Sequence, residues 1–290
     1  MKKSNKFNRK KSKRNYANWI IVYMLVTVLV IITSLPLVYV IITAFKPLDE
    51  LFIYPPRFFV KRPTMRNFAD LLGGLSSSVV PFTRYVFNSL FTTSAIVAST
   101  ALISSMGAYG LVKHKIPFGN IIFNIIIGAL MFSPHVKQIP SYLVVNSLKM
   151  LDTYWALIIP RIAVAYNFFL MKQFIEGFPD ELLESGRMDG AGEWKVFSRI
   201  MMPNIKPAWI TLIVLSFILN WNDFFNALIY TSNQSMKVLT LVMQQVGGTS
   251  IARQGAMAAG AFLVTAPVII MYMAMQSNVL ETMVHSGIKA

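Results

Sequence analysis

Apolar segments long enough to cross a membrane recur along the whole chain, and they limit its possible folds more than any other feature. A helix rises 1.5 Å per residue, so about 20 apolar residues cross the ~30 Å hydrocarbon core of a bilayer. Segments of this kind lie at approximately 19–45, 86–112, 120–138, 153–173, 207–229 and 257–277. The third is the least regular, because Pro134 and Pro140 shorten it. The sequence therefore predicts an all-α, polytopic membrane protein with six transmembrane helices.

The composition agrees with that class and excludes others. Charged residues make up 13% of the 290 residues and hydrophobic residues 55%, whereas soluble domains are about 25% charged. These values argue against a soluble globular enzyme. The absence of cysteine excludes disulfides, thiolate metal sites and cysteine nucleophiles, and three histidines leave little for a zinc site.

The distribution of basic residues predicts the orientation in the membrane. Residues 1–17 contain eight lysine and arginine residues and no acid. The apolar stretch that follows is far longer than the ~7–15 residues of a signal peptide, so it is an uncleaved first span. Because cytoplasmic segments are enriched in Lys and Arg, the N-terminus is expected in the cytoplasm, and six spans then place both termini there. The net charge of +15 could suggest a protein that binds nucleic acid. The basic run in residues 1–17 lies beside the first span, however, and this position indicates either a solvated tail or a segment that binds anionic lipids.

The predicted spans divide the chain into three parts. Residues 1–17 form a basic cytoplasmic tail, 18–277 the transmembrane domain, and 278–290 a polar cytoplasmic tail. Within the domain, 46–85 is a long external loop rich in turn-forming residues, which predicts short helices at most, and 174–206 is a cytoplasmic loop. The sequence has no glycine-rich phosphate-binding loop followed by Lys and Ser or Thr, so ATP is expected on a partner.

The cytoplasmic loop carries the most informative sequence, EGFPDELLESGRMDGAGEWKVFSRIMMP at 176–203. It predicts two short helices separated by a break at Gly190 and Gly192, with Pro179 in the first turn of one helix and Pro203 just after the other.

In the second of these helices Trp194, Phe197 and Met201 form an apolar stripe. The stripe packs either on the protein's own cytoplasmic end or in a groove of another protein, and periodicity alone favours the first alternative.

The same loop resembles the signature of permease subunits of bacterial ABC importers, which reads E-A-A, three residues, G, nine residues, I-x-L-P. Positions that match the offsets are Glu184, Gly190, Ile200 and Pro203. Positions that depart from the pattern, with small or apolar residues, are Ser185, Gly186 and Met202. Residues 187–194, R-M-D-G-A-G-E-W, are similar to the R-I-D-G-A-x-E-W form of carbohydrate importers of the maltose-permease type. Further similar positions cover nearly the whole chain: Pro63, Asn67, Phe68, 88–90 and 221–224.

The resemblance implies a permease subunit without an ATPase site of its own, which translocates a carbohydrate, such as an oligosaccharide, by alternating access. The implied partners are a second permease subunit, two cytoplasmic ATPase subunits that hold ATP and Mg²⁺, an external solute-binding protein and the bilayer of a bacterial inner membrane. Nucleic acid is not an expected partner. A heterodimer of permeases is favoured and a homodimer stays open. The identity, length and linkage of the sugar and the identity of the ATPase stay open as well.

In that family the loop forms a coupling helix, which lies in a cleft of the ATPase subunit and transmits its closure to the membrane helices. The resemblance assigns this role to Glu184, Ser185, Gly186, Arg187, Asp189, Gly190, Ala191, Trp194, Phe197 and Pro203. Glu184 is then a partner for a basic group of the ATPase, and the small side chains permit close approach of backbones. The tail 278–290 either reaches the ATPase, as the resemblance implies, or frays.

Two ionisable residues lie inside predicted spans, Arg161 in the fourth and Asp223 late in the fifth. One interpretation is a structural ion pair across the bundle. A second places Asn220, Trp221, Asn222 and Asp223, with Arg161, along the translocation path, where amides bond sugar hydroxyls and an aromatic ring stacks on a sugar. A third is an external gate or a position near the membrane interface, and all three stay open.

Rival classes of function are distinguished by what they would need. An ion-coupled secondary transporter should show paired mid-span carboxylates or inverted repeats, and an intramembrane enzyme should show a Ser with His or two aspartates. Neither pattern is visible in the sequence. A structural membrane scaffold subunit is compatible with the composition but leaves the signature spacing unexplained.

Overall fold

A computed structural model describes residues 16–76, 80–114, 116–246 and 254–287, and these ranges are helical without any strand. Most of the predicted basic tail lies outside the described residues. The helices are α1 (Tyr16–Ala44), α2 (Leu48–Leu51), α3 (Arg66–Ser76), α4 (Phe82–Lys113), α5 (Gly119–Leu130), α6 (Pro134–Ser147), α7 (Tyr154–Ile162), α8 (Ala165–Glu176), α9 (Asp180–Met188), α10 (Glu193–Asn204), α11 (Lys206–Trp221), α12 (Phe225–Tyr230), α13 (Leu239–Val246) and α14 (Gln254–Gly287).

Among the described residues, three helices are long and apolar enough to cross a membrane without interruption: α1 from Trp19, α4, and α14 as far as Asn278. They match the first, second and sixth predicted spans. Bent pairs of shorter helices bring the possible number of spans to six by length and composition, with angles of 107° between α5 and α6, 43° between α7 and α8, and 81° between α10 and α11. The all-helical membrane class is therefore confirmed.

The third, fourth and fifth predicted spans are interrupted in the structure and are not single helices. Residues 120–138 cross a sharp turn, because Pro134 cannot donate a helix hydrogen bond and instead begins α6. Residues 153–173 contain two non-helical positions, Ala163 and Val164. Residues 207–229 combine α11 and α12 across a break before Phe225. At the C-terminus, by contrast, helix α14 continues without a break past the predicted boundary at 277.

Helix α4 is the centre of the bundle and packs against α7, α8 and α11, while α14 packs against α11, α1 and α3. The apolar side chains of α1 are exposed along most of its length. Water would make such a surface unfavourable, whereas the hydrocarbon core of a bilayer solvates it. The bundle therefore has a packed interior around α4 and an apolar outer face suited to lipid.

Asn67, one of the positions that carry the resemblance, has a structural role at the end of α1. Its buried amide donates to the carbonyls of Ala44 at 2.9 Å and Lys46 at 2.7 Å, and so satisfies acceptors that a helix C-terminus leaves open. A Cβ at Gly255 would lie 2.3 Å from Asn67 Oδ1, so only glycine permits this approach of α14. One amide therefore joins α1, α3 and α14.

Asn88 and Ser89 have a comparable role on α4. The Asn88 amide donates to the carbonyls of Ser235 at 2.8 Å and Lys237 at 2.9 Å, and Ser89 Oγ accepts the N–H of Leu239 at 2.8 Å. Both side chains are buried. They attach the segment that begins α13 to the first third of α4.

Candidate functional site

The loop 174–206, predicted to be cytoplasmic, folds into α9 and α10, and the break between them falls at the glycines as the sequence predicts. Pro179 directly precedes α9, and Gly190 adopts the left-handed conformation with φ +78°. The N–H of Ala191 donates to Gly186 O at 3.1 Å and the N–H of Gly190 to Arg187 O at 3.0 Å. This pair of bonds is the Schellman helix end, which requires a left-handed residue where Gly190 stands. The turn into α10 is therefore sharp and is held by these two backbone hydrogen bonds.

The two helices are in close contact at Gly186. A Cβ there would meet Ile200 Cδ1 at 2.3 Å, so the side chain of Ile200 occupies the space above the glycine. The buried side chains of the pair continue into a core shared with α4 and α8, formed by Leu183, Val196, Phe197, Met201, Met171, Ile175 and Ala108. The helix pair is thus packed firmly on the bundle.

The end of α10 differs from the prediction. The helix continues through Pro203 to Asn204, and its central part, Val196–Met201, is π-helical. The N–H of Met202 donates to Phe197 O, five residues earlier. Proline lacks the N–H for the usual bond, and a widened turn lets the chain continue without that bond.

The apolar stripe of α10 is divided between two environments. Phe197 and Met201 are buried in the protein's own core, whereas Trp194 is 62% exposed. On α9, Met188 is 89% exposed and Leu182 is also exposed. Sequence reasoning missed Leu182 and Met188, although each is an apolar residue beside a polar stretch. The exposed residues Leu182, Glu184, Ser185, Met188 and Trp194 are called the outer face of the helix pair below.

A charged cluster fastens α10 to α4. Glu193 accepts a hydrogen bond from the hydroxyl of Tyr109 at 2.7 Å and from Arg187 Nε at 2.7 Å, and His114 Nε2 lies 3.5 Å from the same carboxylate. The hydrogen bonds from Arg187 and then Tyr109 lower the pKa of Glu193 from 4.5 to about 2, so the carboxylate stays charged at neutral pH. Bonding to Glu193 also raises the pKa of Arg187.

A second contact fastens the start of α9 to the same end of α4. Lys113 Nζ donates to Phe178 O at 2.6 Å and to Asp180 Oδ1 at 2.7 Å. The Lys113 side chain is only 5% exposed. Because a buried ammonium needs its partners, this contact specifies where α9 begins relative to α4.

Within the bundle, the structure brings Arg161 and Asp223 together in an ion pair, and both side chains are largely buried. Asn226 Nδ2 also donates to the Asp223 carboxylate at 2.8 Å. Arg161 lies in the last turn of α7 and Asp223 lies between α11 and α12. The pair therefore joins two positions at which helices are interrupted.

The other residues proposed from the sequence for the translocation path make different contacts. Trp221 is 3% exposed, and its indole N–H donates to Val264 O on α14 at 2.8 Å. Its ring is therefore not available to stack on a sugar in this structure, because packing against α14 covers it. Asn222 is exposed, with its amide donating to Ile218 O, and the Asn220 amide donates to Ser216 O.

Comparison with known proteins agrees with this architecture. Residues 15–280 match the family described as binding-protein-dependent transport system inner membrane component, and the chain belongs to that family. It is a permease component of the inner membrane, so the resemblance inferred from the loop signature is confirmed for the family.

Individual relatives cover different shares of the chain. It is 29% identical over 273 residues to a putative ABC transporter permease protein, ORF2, of a Caldicellulosiruptor species, covering 93% of this chain and 96% of the relative. It is 36% identical over 220 residues to protein LplC of Bacillus subtilis, covering 74% and 70%. Among solved structures, a chain of a bacterial ABC transporter involved in the import of the acidic polysaccharide alginate has the same fold, with a TM-score of 0.80, 20% identity and coverage of 92% and 98%.

Proposed function

We propose that this permease component translocates a carbohydrate by alternating access in an ABC importer. The motif R-M-D-G-A-G-E-W at 187–194 supports a carbohydrate substrate, and so does the polysaccharide import named for the structural neighbour. Its partners in this proposal are a second permease, two ATPase subunits that bind ATP and Mg²⁺, and an external solute-binding protein. The chain itself carries out no covalent chemistry.

The proposed topology has six spans with both termini in the cytoplasm. Three long helices and the bent pairs α5–α6 and α7–α8 supply five of the spans. In this proposal α11 together with α12 forms the fifth span along the chain, and α10 lies outside the membrane. The basic run in residues 1–17 supports a cytoplasmic N-terminus. In this orientation α9 and α10 lie on the ATPase side, and the segment 46–85 lies outside.

The observation that carries the proposal is the outer face of the helix pair. It combines exposed apolar side chains with an exposed Glu184 on a backbone that the buried face holds rigid. Aromatic and methionine side chains are typical anchors of protein interfaces. Trp194 and Met188 are such anchors, and Glu184 provides a charge for a basic group of the ATPase.

The structure reduces the set of residues proposed from the sequence for the translocation path. Arg161 and Asp223 remain candidates, as parts of a charged contact between two interrupted spans that opens as the helices move. Asn220 and Asn222 remain candidates for contacts with sugar hydroxyls. Trp221 has a packing role instead.

The test is purification of the chain from its native membrane in mild detergent, followed by identification of the attached proteins. The expected result is a second permease and an ATPase, with the ATPase lost from Glu184→Arg and retained by Glu176→Arg, which changes an exposed acid of α8 outside the outer face. Recovery of the chain alone, with uptake driven by an ion gradient and no ATP, would overturn the proposal in favour of a secondary transporter.

A further inference from the structure

The last turn of α4 is attached to three of the four ends of the cytoplasmic helix pair. Lys113 holds the start of α9 through Phe178 O and Asp180. Tyr109 holds the start of α10 through Glu193. These attachments come from α4, which is separated in sequence from the pair by more than 60 residues, and not from the helices that directly precede or follow it.

The end of α9 belongs to the same set of contacts. Arg187 donates to Glu193 through Nε at 2.7 Å and Nη2 at 3.2 Å, and its Nη2 lies 3.5 Å from the Tyr109 hydroxyl. Two parallel donors on one carboxylate fix direction as well as distance. Arg187 therefore joins the end of α9 to the start of α10 and to α4 at one carboxylate.

Apolar packing covers the cluster on its inner side. The Tyr109 ring lies 5.3 Å from the ring of Phe197, and both residues are almost fully buried. A charged hydrogen-bond network beside a dry contact has few alternative arrangements. A displacement of the helix pair α9 and α10 relative to α4 would break the Tyr109–Glu193 and Lys113–Asp180 contacts together.

We infer that Tyr109, Lys113, Arg187 and Glu193 are positioning residues that make α9, α10 and α4 one rigid body, so that a force on the outer face moves α4 directly. The inference rests on the proposed function for the source of that force. The inference adds that the force enters the bundle through α4. A loop attached only through its own chain ends would absorb part of the displacement.

The first measurement is the distance between α10 and α4 in the assembled transporter. The chain has no cysteine, so Met106→Cys on α4 and Arg199→Cys on α10 can carry two spin labels as the only thiols of this chain. The expected distance distribution is narrow and is unchanged between the nucleotide-free and ATP-bound states. In the Glu193→Gln and Tyr109→Phe backgrounds it becomes broader. A change with ATP in the parent, or an equally narrow distribution in the variants, would overturn the inference.

The second measurement is the number of substrate molecules moved per ATP hydrolysed. Glu193→Gln and Tyr109→Phe are expected to keep the ATPase bound while this ratio falls by roughly threefold to tenfold. The matched controls are Glu176→Gln on α8 and Tyr166→Phe, whose ring is exposed, and both should keep the parent ratio. An unchanged ratio in Tyr109→Phe would contradict the inference alone. Absence of any ATPase from the parent preparation would instead contradict the proposed function.

Discussion

Ile200 occupies the space that a side chain at Gly186 would need, with its Cδ1 2.3 Å from the position of the missing Cβ. Gly186→Ala therefore forces Ile200 into another rotamer at a cost of about 1–3 kcal/mol, the range for overpacking a core. Ile200→Val removes that methyl group, so the double variant should recover most of the loss. Thermal unfolding of the purified complex measures both effects, and a double variant no more stable than Gly186→Ala would contradict the contact.

Gly190 should tolerate substitution much less than Gly192. Gly190 has φ +78°, whereas Gly192 has φ −66°, and neither has an atom near the position of a Cβ. Gly190→Val is expected to cost about 1–3 kcal/mol of backbone strain and to uncouple ATP hydrolysis from transport. Gly192→Val has the same added volume without that strain. Equal hydrolysis-to-uptake ratios in the two variants would show that the left-handed turn is not needed for coupling.

The Glu193 contact should stabilise the protein over most of the pH range and fail only in acid. Its pKa is lowered from 4.5 to about 2, so the stabilisation is complete above pH 4.5 and is lost as the pH falls towards 2. The difference in melting temperature between the parent and Glu193→Gln should therefore be constant from pH 8 to about pH 5 and vanish near about pH 2. A difference that instead shrinks between pH 8 and 6 would assign it to another group.

Substitutions of Trp221 and Trp194 should have different effects, the first on the stability of the protein and the second on its association with the ATPase. Trp221→Phe removes the hydrogen bond that the buried indole donates to Val264 O, a loss of about 0.5–1.5 kcal/mol. Trp194→Phe alters an exposed ring and should leave the melting temperature unchanged while it weakens retention of the ATPase. If the melting temperature falls for Trp194→Phe and not for Trp221→Phe, both assignments are wrong.

Asp223→Asn should destabilise the protein by about 3 kcal/mol, because it leaves Arg161 buried without a counter-charge. Replacement of both residues by leucine should restore much of the stability, since no charge then remains. Uptake by the double variant distinguishes a structural role of the pair from a role in translocation. Uptake that stays low at restored stability indicates a role in translocation, and full recovery indicates a purely structural pair.

The length of apolar segments was sufficient to predict α1, α4 and the membrane part of α14, because burial in lipid depends on composition over about 20 residues. The interruptions after α7 and α11 were not predictable in the same way, since each lies inside a segment that is apolar on average over about 20 residues. Pro134 was the exception, because proline changes the backbone itself.

The candidate site was predictable in its local features and not in its tertiary contacts. Gly190 acts within a few residues of its own position, and the structure places it at the break as expected, whereas Pro179 stands just before α9 and not in its first turn. Tyr109 and Glu193, like Lys113 and Asp180, are more than 60 residues apart in the chain, and periodicity cannot pair them. The division of the stripe between Trp194 and Met201 also depends on which surface α8 covers.

Because α4 has contacts towards both of its ends, a tilt about one end displaces the segment attached towards the other. Lys113 and Tyr109 hold the helix pair α9 and α10 at one end, and Asn88 and Ser89 hold the segment that leads into α13 towards the other. At 1.5 Å per residue, Asn88 lies about 38 Å from Lys113, so a tilt of about 5° about the Lys113 end would carry it sideways by about 3 Å. A displacement of that size exceeds a hydrogen-bond length, so the segment held by Asn88 and Ser89 must either travel with α4 or come away from it.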